Sequence, residues 1–195
     1  MIETLKNVVP ASGMMIIADL EFTSWEGAQE SGWSAPGQFR EIVQIGAVRV
    51  DADDGFAERA SFSVLVRPTI NPELSDYFTA LTGITNDALA RDGVSLEIAL
   101  AGFADFAGAD VILSHGRDDL VVARACALKD MRNPIAGADW RDLNPGLHAM
   151  IGQKLPSSAL PAQFGLALAG SAHDALADSR ALAMVLAHLK TEGRF

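Results

Sequence analysis

Three short segments carry residue types at spacings that chemistry can use. Asp19 and Glu21 lie two apart at the end of the apolar run Met14 to Leu20. If that run is a strand, both carboxylates point to one face of a sheet, and two like charges held together there are costly without a cation. The second segment, Ser114-His115-Gly116-Arg117-Asp118-Asp119-Leu120, follows a short apolar stretch and enters a helix. One of its two adjacent acids can cap that helix while the other turns toward the first pair. The third, His173-Asp174-Ala175-Leu176-Ala177-Asp178, opens a segment of alanine and leucine. An acid in so apolar a setting wants a partner, and histidine is the usual acid or base near neutral pH.

Each segment alone has a plainer account: a solvated pair of acids at a strand edge, a helix cap, and a cap with a flanking histidine and an exposed acid. The combination changes the balance. Four carboxylates form the oxygen-rich ligand set that Mg²⁺ or Mn²⁺ prefers. Two such ions, about 4 Å apart, can stabilise the attacking and leaving oxygens of an in-line phosphoryl displacement. A nearby histidine then takes the proton of the attacking water.

These groups must be positioned by surrounding elements. Met14–Leu20, Ile42–Val50 and Ser61–Val66 read as three antiparallel strands in sequence, the last two joined by a hairpin at Asp51 to Gly55. Leu74, Phe78 and Leu81 mark a helix that Gly83 stops. Ser95 starts another whose apolar face is Leu96, Ala99, Leu100, Phe103 and Phe106, ended by Gly108. Then follow a strand at Val111–Leu113, a helix at Leu120–Leu128, a short strand at Trp140–Leu143 and a long helix at Asp174–Leu189. Five strands followed by and alternating with helices imply an α/β fold, a mixed five-stranded sheet flanked by helices. Gln29 to Gln38 reads as a loop inserted after the first strand, with Trp25 and Trp33 unusual for a loop, and Asn144 to Gly170 is the least readable stretch.

With 195 residues and 49% hydrophobic content, the chain is expected to form a single domain over 1–195. No run reads as a signal or a membrane span, so a cytoplasmic location away from membranes is expected. The single cysteine, Cys126, excludes an internal disulfide and a cysteine-based zinc site, and reads as a core residue. A Walker phosphate-binding spacing is absent. The net charge of −10 argues against wrapping a long duplex in basic side chains. Cations held by converging acids would still present positive charge to a phosphate over a small footprint.

At these residues the chain resembles the DEDDh subgroup of the DEDD 3′-to-5′ exonucleases, whose fold is ribonuclease H-like. Ala18-Asp19-Leu20-Glu21-Phe22-Thr23 matches the first motif. His173-Asp174-Ala175-Leu176-Ala177-Asp178-Ser179-Arg180 matches the last, with the histidine five residues before the acid. Arg40 to Val48 and Pro72 to Thr85 are similar to the connecting segments of the branch that trims histone-mRNA 3′ ends and degrades small RNAs. The middle motif departs from the pattern: aligned on Gly116, Asp119 takes the place of the metal-binding acid, with Asp118 as the register alternative and an aromatic lost.

The resemblance implies that Asp19, Glu21, Asp119 and Asp178 hold two Mg²⁺ or Mn²⁺ ions and that His173 is the general base. Nucleoside 5′-monophosphates would be released from the 3′ end of single-stranded nucleic acid, RNA ahead of DNA. Phe22, Thr23 and Trp25 are the candidates for the nucleotide pocket, and His115 is close enough in sequence to line the site; for Phe22 core packing is an equal alternative. Two other functions stay open: a non-catalytic regulatory or binding module on the same fold, and a proofreading exonuclease attached to a DNA polymerase. A homodimer is compatible with the resemblance, although no interface signature is visible.

Overall fold

The computed structural model describes residues 4–167 and 173–195. Its elements run α1 (Leu5–Val8), β1 (Met14–Phe22), β2 (Ile42–Asp51), β3 (Ala57–Leu65), α2 (Asp76–Thr82), α3 (Asn86–Asp92), α4 (Leu96–Ala107), β4 (Val111–Ser114), α5 (Asp118–Leu128), β5 (Trp140–Asp142), α6 (Asn144–Ile151), α7 (Leu160–Gln163) and α8 (Ala175–Thr191). The five strands form one sheet in the order β3-β2-β1-β4-β5. The first three pair antiparallel, and β4 and β5 run parallel to β1. This is the mixed sheet flanked by helices that the sequence implies.

Alternation along β1 decides which helix meets which residue. Ile16, Ala18 and Leu20 pack into a core with Leu100 and Phe103 of α4 and Val122 and Cys126 of α5. Met15 and Ile17 face the other way, against Leu182, Val185, Leu186 and Leu189 of α8 and Leu5 and Val8 of α1. Each such fully buried aliphatic side chain contributes about 1.5–3 kcal/mol. Asp19 and Glu21 continue the odd-numbered face, so strand geometry delivers both acids to the α8 side.

Several boundaries differ from expectation. β3 begins at Ala57, four residues before the expected Ser61, because pairing with β2 resumes as soon as the Ala52–Asp54 turn is complete. The expected helices at 120–128 and 174–189 are there, as α5 and α8. The helix α3 was not apparent in the sequence: its Asn86–Asp92 stretch buries only Leu89, too little to set a periodic pattern. The unreadable stretch after Asn144 contains α6 and α7, interrupted by glycine and proline, up to residue 167; its end at Gly170 lies outside the described residues. Residues 29–38 form turns between β1 and β2, as expected of an insert.

Candidate active site

The β1–β2 register explains a motif opposite the first acid pair. Asp19 faces Gly46 and Glu21 faces Gln44 across the ladder. The start of α8 crosses β2 so closely that a Cβ on Gly46 would come within 2.2 Å of the Ala175 carbonyl carbon and Leu176 nitrogen. Only a residue without a side chain fits. Ser179, buried on α8, donates to the Gly46 carbonyl at 3.1 Å. Gln44, also buried, accepts from the Ala175 amide at 3.1 Å and donates to the Asp174 carboxylate at 3.0 Å. Asp174 in turn caps the helix by accepting from the Ala177 amide at 2.9 Å. These contacts lock the corner that holds His173, whose φ of 60° is left-handed, an unfavourable conformation that tight surroundings must enforce.

Glu21, His173 and Asp178 are thereby brought together, with one ligand atom of each within 4.8 Å of the others. Asp178 is buried, and its Oδ1 has no hydrogen-bond partner among the described residues. Burial, then the charge of Asp178, then those of Asp174 and Asp118, push the Glu21 carboxyl up to about 8. Burial raises Asp178 to about 6 against the opposing influence of His173. Asp19 is raised well above the usual carboxylate range by burial, then by Asp118, Glu21, Asp178 and Asp174. Two ionised carboxylates at such separations repel by roughly 3–4 kcal/mol at an effective dielectric of about 20. Two oxygens and a nitrogen, one oxygen enclosed and unpartnered, form a donor set that fits a hard divalent cation.

The β4–α5 turn settles where the adjacent acids point. Gly116, at φ 133°, donates its amide to Asp142 of β5 at 2.9 Å, and Ser114 donates to the Gly116 carbonyl at 2.9 Å. This turn sends Asp118 toward Asp19. Burial first, then Asp142 and Asp119, push the Asp118 carboxyl up to about 7. Asp119 is directed elsewhere: Arg117 grips both its oxygens at 2.8 and 2.7 Å and holds it below the usual carboxylate range. It lines a separate depression with Leu120, Asn133, Ile135 and Trp140. The alignment on Gly116 therefore names the acid that Arg117 holds, while the register alternative Asp118 is the one whose charge acts on Asp19.

The acids open into a cleft of about 530 Å³, lined by Asp19, Glu21, Gln29, His115, Lys154 and His173, with Asp178 at its base. His115 lies 3.3 Å from the Ser157 hydroxyl through Nδ1, and burial lowers its pKa. Of the expected nucleotide-pocket residues, none lines this cleft. Phe22 meets Trp33 edge-on at a centroid separation of 5.5 Å. Thr23 is buried, its hydroxyl donating to the Phe39 carbonyl and accepting from the Glu41 amide at 3.0 Å. That hydroxyl ties the two ends of the insert together. Trp25 is half-buried at the start of the insert. Sequence reasoning missed Gln44, Asp142, Gln29 and Lys154. The first could have been found from the register of Gln-x-Gly against Asp-x-Glu; Lys154 had no motif around it.

Among the described residues, no helix is long and apolar enough to cross a membrane. Residues 16–186 match the family described as Exonuclease, the RNase T family. ERI1 exoribonuclease 2 of Xenopus laevis is 26% identical over 206 residues, which covers 92% of this chain and 28% of that protein. The 3′-5′ exonuclease Snipper of Drosophila melanogaster is 25% identical over 203 residues, covering 92% and 70%. The chain spans 28–35% of the length of the ERI1 exoribonuclease 2 proteins it matches. The nuclease domain of 3′hExo, a DEDDh family member bound to rAMP, superposes with a TM-score of 0.76 at 23% identity, covering 93% of this chain and 94% of that one. Exonuclease I gives 0.70 at 18% identity, covering 92% and 41%. These structural likenesses show a shared ribonuclease H-like exonuclease fold. With the family match running from β1 through most of α8 and taking in every acid of the cleft, the chain belongs to the RNase T exonuclease family.

Proposed function

We propose that residues 1–195 form one exonuclease unit that hydrolyses phosphodiester bonds from the 3′ end of single-stranded nucleic acid, RNA in preference to DNA, with two divalent cations. The observation that carries this reading is the Asp178 oxygen, enclosed and without a donor beside Glu21 and His173. A binding module would have no physical reason to keep these carboxylates together at the expense of their mutual repulsion.

Asp19, Glu21, Asp178 and, as the fourth carboxylate, Asp118 hold the cations in this account. Bound there, Mg²⁺ or Mn²⁺ supplies the positive charge that neutralises a scissile phosphate. His173 accepts the proton of the attacking water through a ring nitrogen. Lys154 supplies an ammonium to the phosphate from the far wall, and His115, steadied by Ser157, flanks the terminal nucleotide. Water attack at the last phosphodiester releases a nucleoside 5′-monophosphate and leaves a chain one residue shorter with a free 3′-hydroxyl. Preference for RNA rests on the names of relatives: exoribonucleases among curated proteins and a histone mRNA stem-loop recognised by a 3′-exonuclease with a TM-score of 0.78.

Hydrolysis of 5′-labelled single-stranded RNA and DNA 24-mers in Mg²⁺, Mn²⁺ or EDTA tests the reading, with Asp19→Ala as the control. A ladder shortening from the 3′ end, lost in EDTA and in the variant, is expected, with RNA degraded faster. No cleavage in either metal would overturn it in favour of a binding module.

A further inference from the structure

A second depression of about 430 Å³ lies where the insert between β1 and β2 meets α5, lined by Trp33, Phe39, Arg40, Arg124, Ala127 and Leu128. Its composition is unlike the rest of this acidic chain. The Arg40 guanidinium lies 3.8 Å from the Trp33 ring centroid and 5.5 Å from that of Phe22. It also faces Arg124, and neither has an acidic partner among the described residues. Most other arginines sit against a carboxylate, among them Arg49, Arg59, Arg117, Arg141 and Arg180. Phe39 and Leu128 are large apolar side chains left 39% and 42% exposed, which marks a face that is not core.

Two unpaired guanidiniums facing each other repel, and an anion between them removes that cost. The exposed Phe39 ring and the half-buried Trp33 ring beside them offer a stacking surface that tolerates any base. The patch adjoins two elements, β1 and α5, that also carry the acids, on the sheet face opposite Asp19 and Glu21. Phe22, which packs against Trp33, follows Glu21 directly in β1. Arg124 lies about 9 Å along α5 from Asp118, at 1.5 Å per residue.

We infer that this patch is a second nucleotide subsite, which grips the phosphates between Arg40 and Arg124 and stacks a base on Trp33 or Phe39, upstream of the 3′-terminal nucleotide. The inference rests on the proposed exonuclease reading for the direction of the strand. It gives the insert a purpose: a chain of net charge −10 gains a local cationic grip on single-stranded substrate without a basic surface elsewhere.

The test is equilibrium binding of a 5′-fluorescein single-stranded U12 to the whole chain with Ca²⁺, comparing the natural protein with Arg40→Gln/Arg124→Gln and with Phe39→Ala. The double variant is expected to weaken U12 binding roughly tenfold and to flatten the dependence of log K on log salt by about 1.4 for two lost phosphate contacts. Phe39→Ala is expected to weaken it roughly five- to hundredfold if the base stacks there. Competition by a UpU dinucleotide, too short to span both sites, should be unchanged in the double variant. Circular dichroism checks that both variants fold; a misfolded double variant is replaced by Arg124→Gln alone, whose side chain is exposed. Unchanged U12 affinity and salt slope in the charge variants would overturn the subsite and leave the patch to an acidic peptide. Equal loss on UpU and U12 would place the arginines in the catalytic cleft and overturn it too. If U12 binds as expected but no metal supports hydrolysis, the subsite stands and the exonuclease reading fails.

Discussion

Carboxylates withdrawn from solvent meet two opposite fates in this chain. Glu41, 2% exposed, accepts backbone amides of Thr69, Ile70 and Asn71 at 2.8, 2.9 and 2.6 Å and meets Lys129 at 3.1 Å. Burial alone would raise its pKa, but the three amides and the lysine together outweigh burial and hold it below the usual range. At the cleft, Asp178 is buried and Asp19, Glu21 and Asp118 are half-buried near it, and all four carboxyls are raised. A buried acid that the protein satisfies by itself staples a loop to a strand. A group of such acids left to repel one another is arranged for something that arrives from outside.

The largest effects should separate these sets. Glu41→Leu leaves Lys129 and three amides unpaired and is expected to lower unfolding stability by about 3–5 kcal/mol in chemical denaturation. Asp178→Asn is expected to leave metal-free stability equal or higher, because it removes a repelling charge, while activity falls at least about 10³-fold, several kcal/mol of lost transition-state stabilisation. If Asp178→Asn proved as destabilising as Glu41→Leu, the distinction would collapse. Gly46→Ala tests the joint between β2 and α8. The new methyl must displace the corner bearing His173, so a loss of about 1–3 kcal/mol accompanied by a fall in activity is expected.

Acidity sharpens the contrast further. A carboxyl raised in the folded state binds its proton more tightly there than in the unfolded chain. Its contribution to stability is therefore present below the unfolded pKa near 4 and is lost as pH climbs through about 6, 7 and 8 for Asp178, Asp118 and Glu21. In EDTA, melting temperature should fall between pH 5 and pH 8.5; Mn²⁺ at about 100 times its Kd should restore about 5–10 °C at the upper end and little at the lower. Glu41, lowered, contributes in the opposite sense, with stability lost only as pH drops below about 4. The smallest effect belongs to Asp119→Asn. Releasing a surface ion pair with Arg117 should cost no more than about 1 kcal/mol and leave the rate intact, whereas Asp118→Asn should abolish it.

Much of this was legible in the residues. Strand period placed Asp19 and Glu21 on one face, and the five-residue spacing of His173 and Asp178 brought histidine and acid to one end of a helix. The middle acid was not legible, because Asp142, 24 residues downstream, shapes the Gly116 turn that chooses between Asp118 and Asp119. Long-range contacts also engage Thr23, expected beside the nucleotide: its hydroxyl bonds to Phe39 and Glu41 across the insert. Lys154 reaches the cleft from a stretch broken by glycine and proline, where no periodicity marks an element.

Cation binding in the cleft requires its raised carboxyls to surrender protons. Titration calorimetry of Mn²⁺ into the chain at pH 6.5, in two buffers of different ionisation enthalpy, reads that release directly. The prediction is saturable binding with at least about one proton expelled, diminished in Asp178→Asn and unchanged in Asp119→Asn. Binding without proton release, or no binding at all, would contradict it.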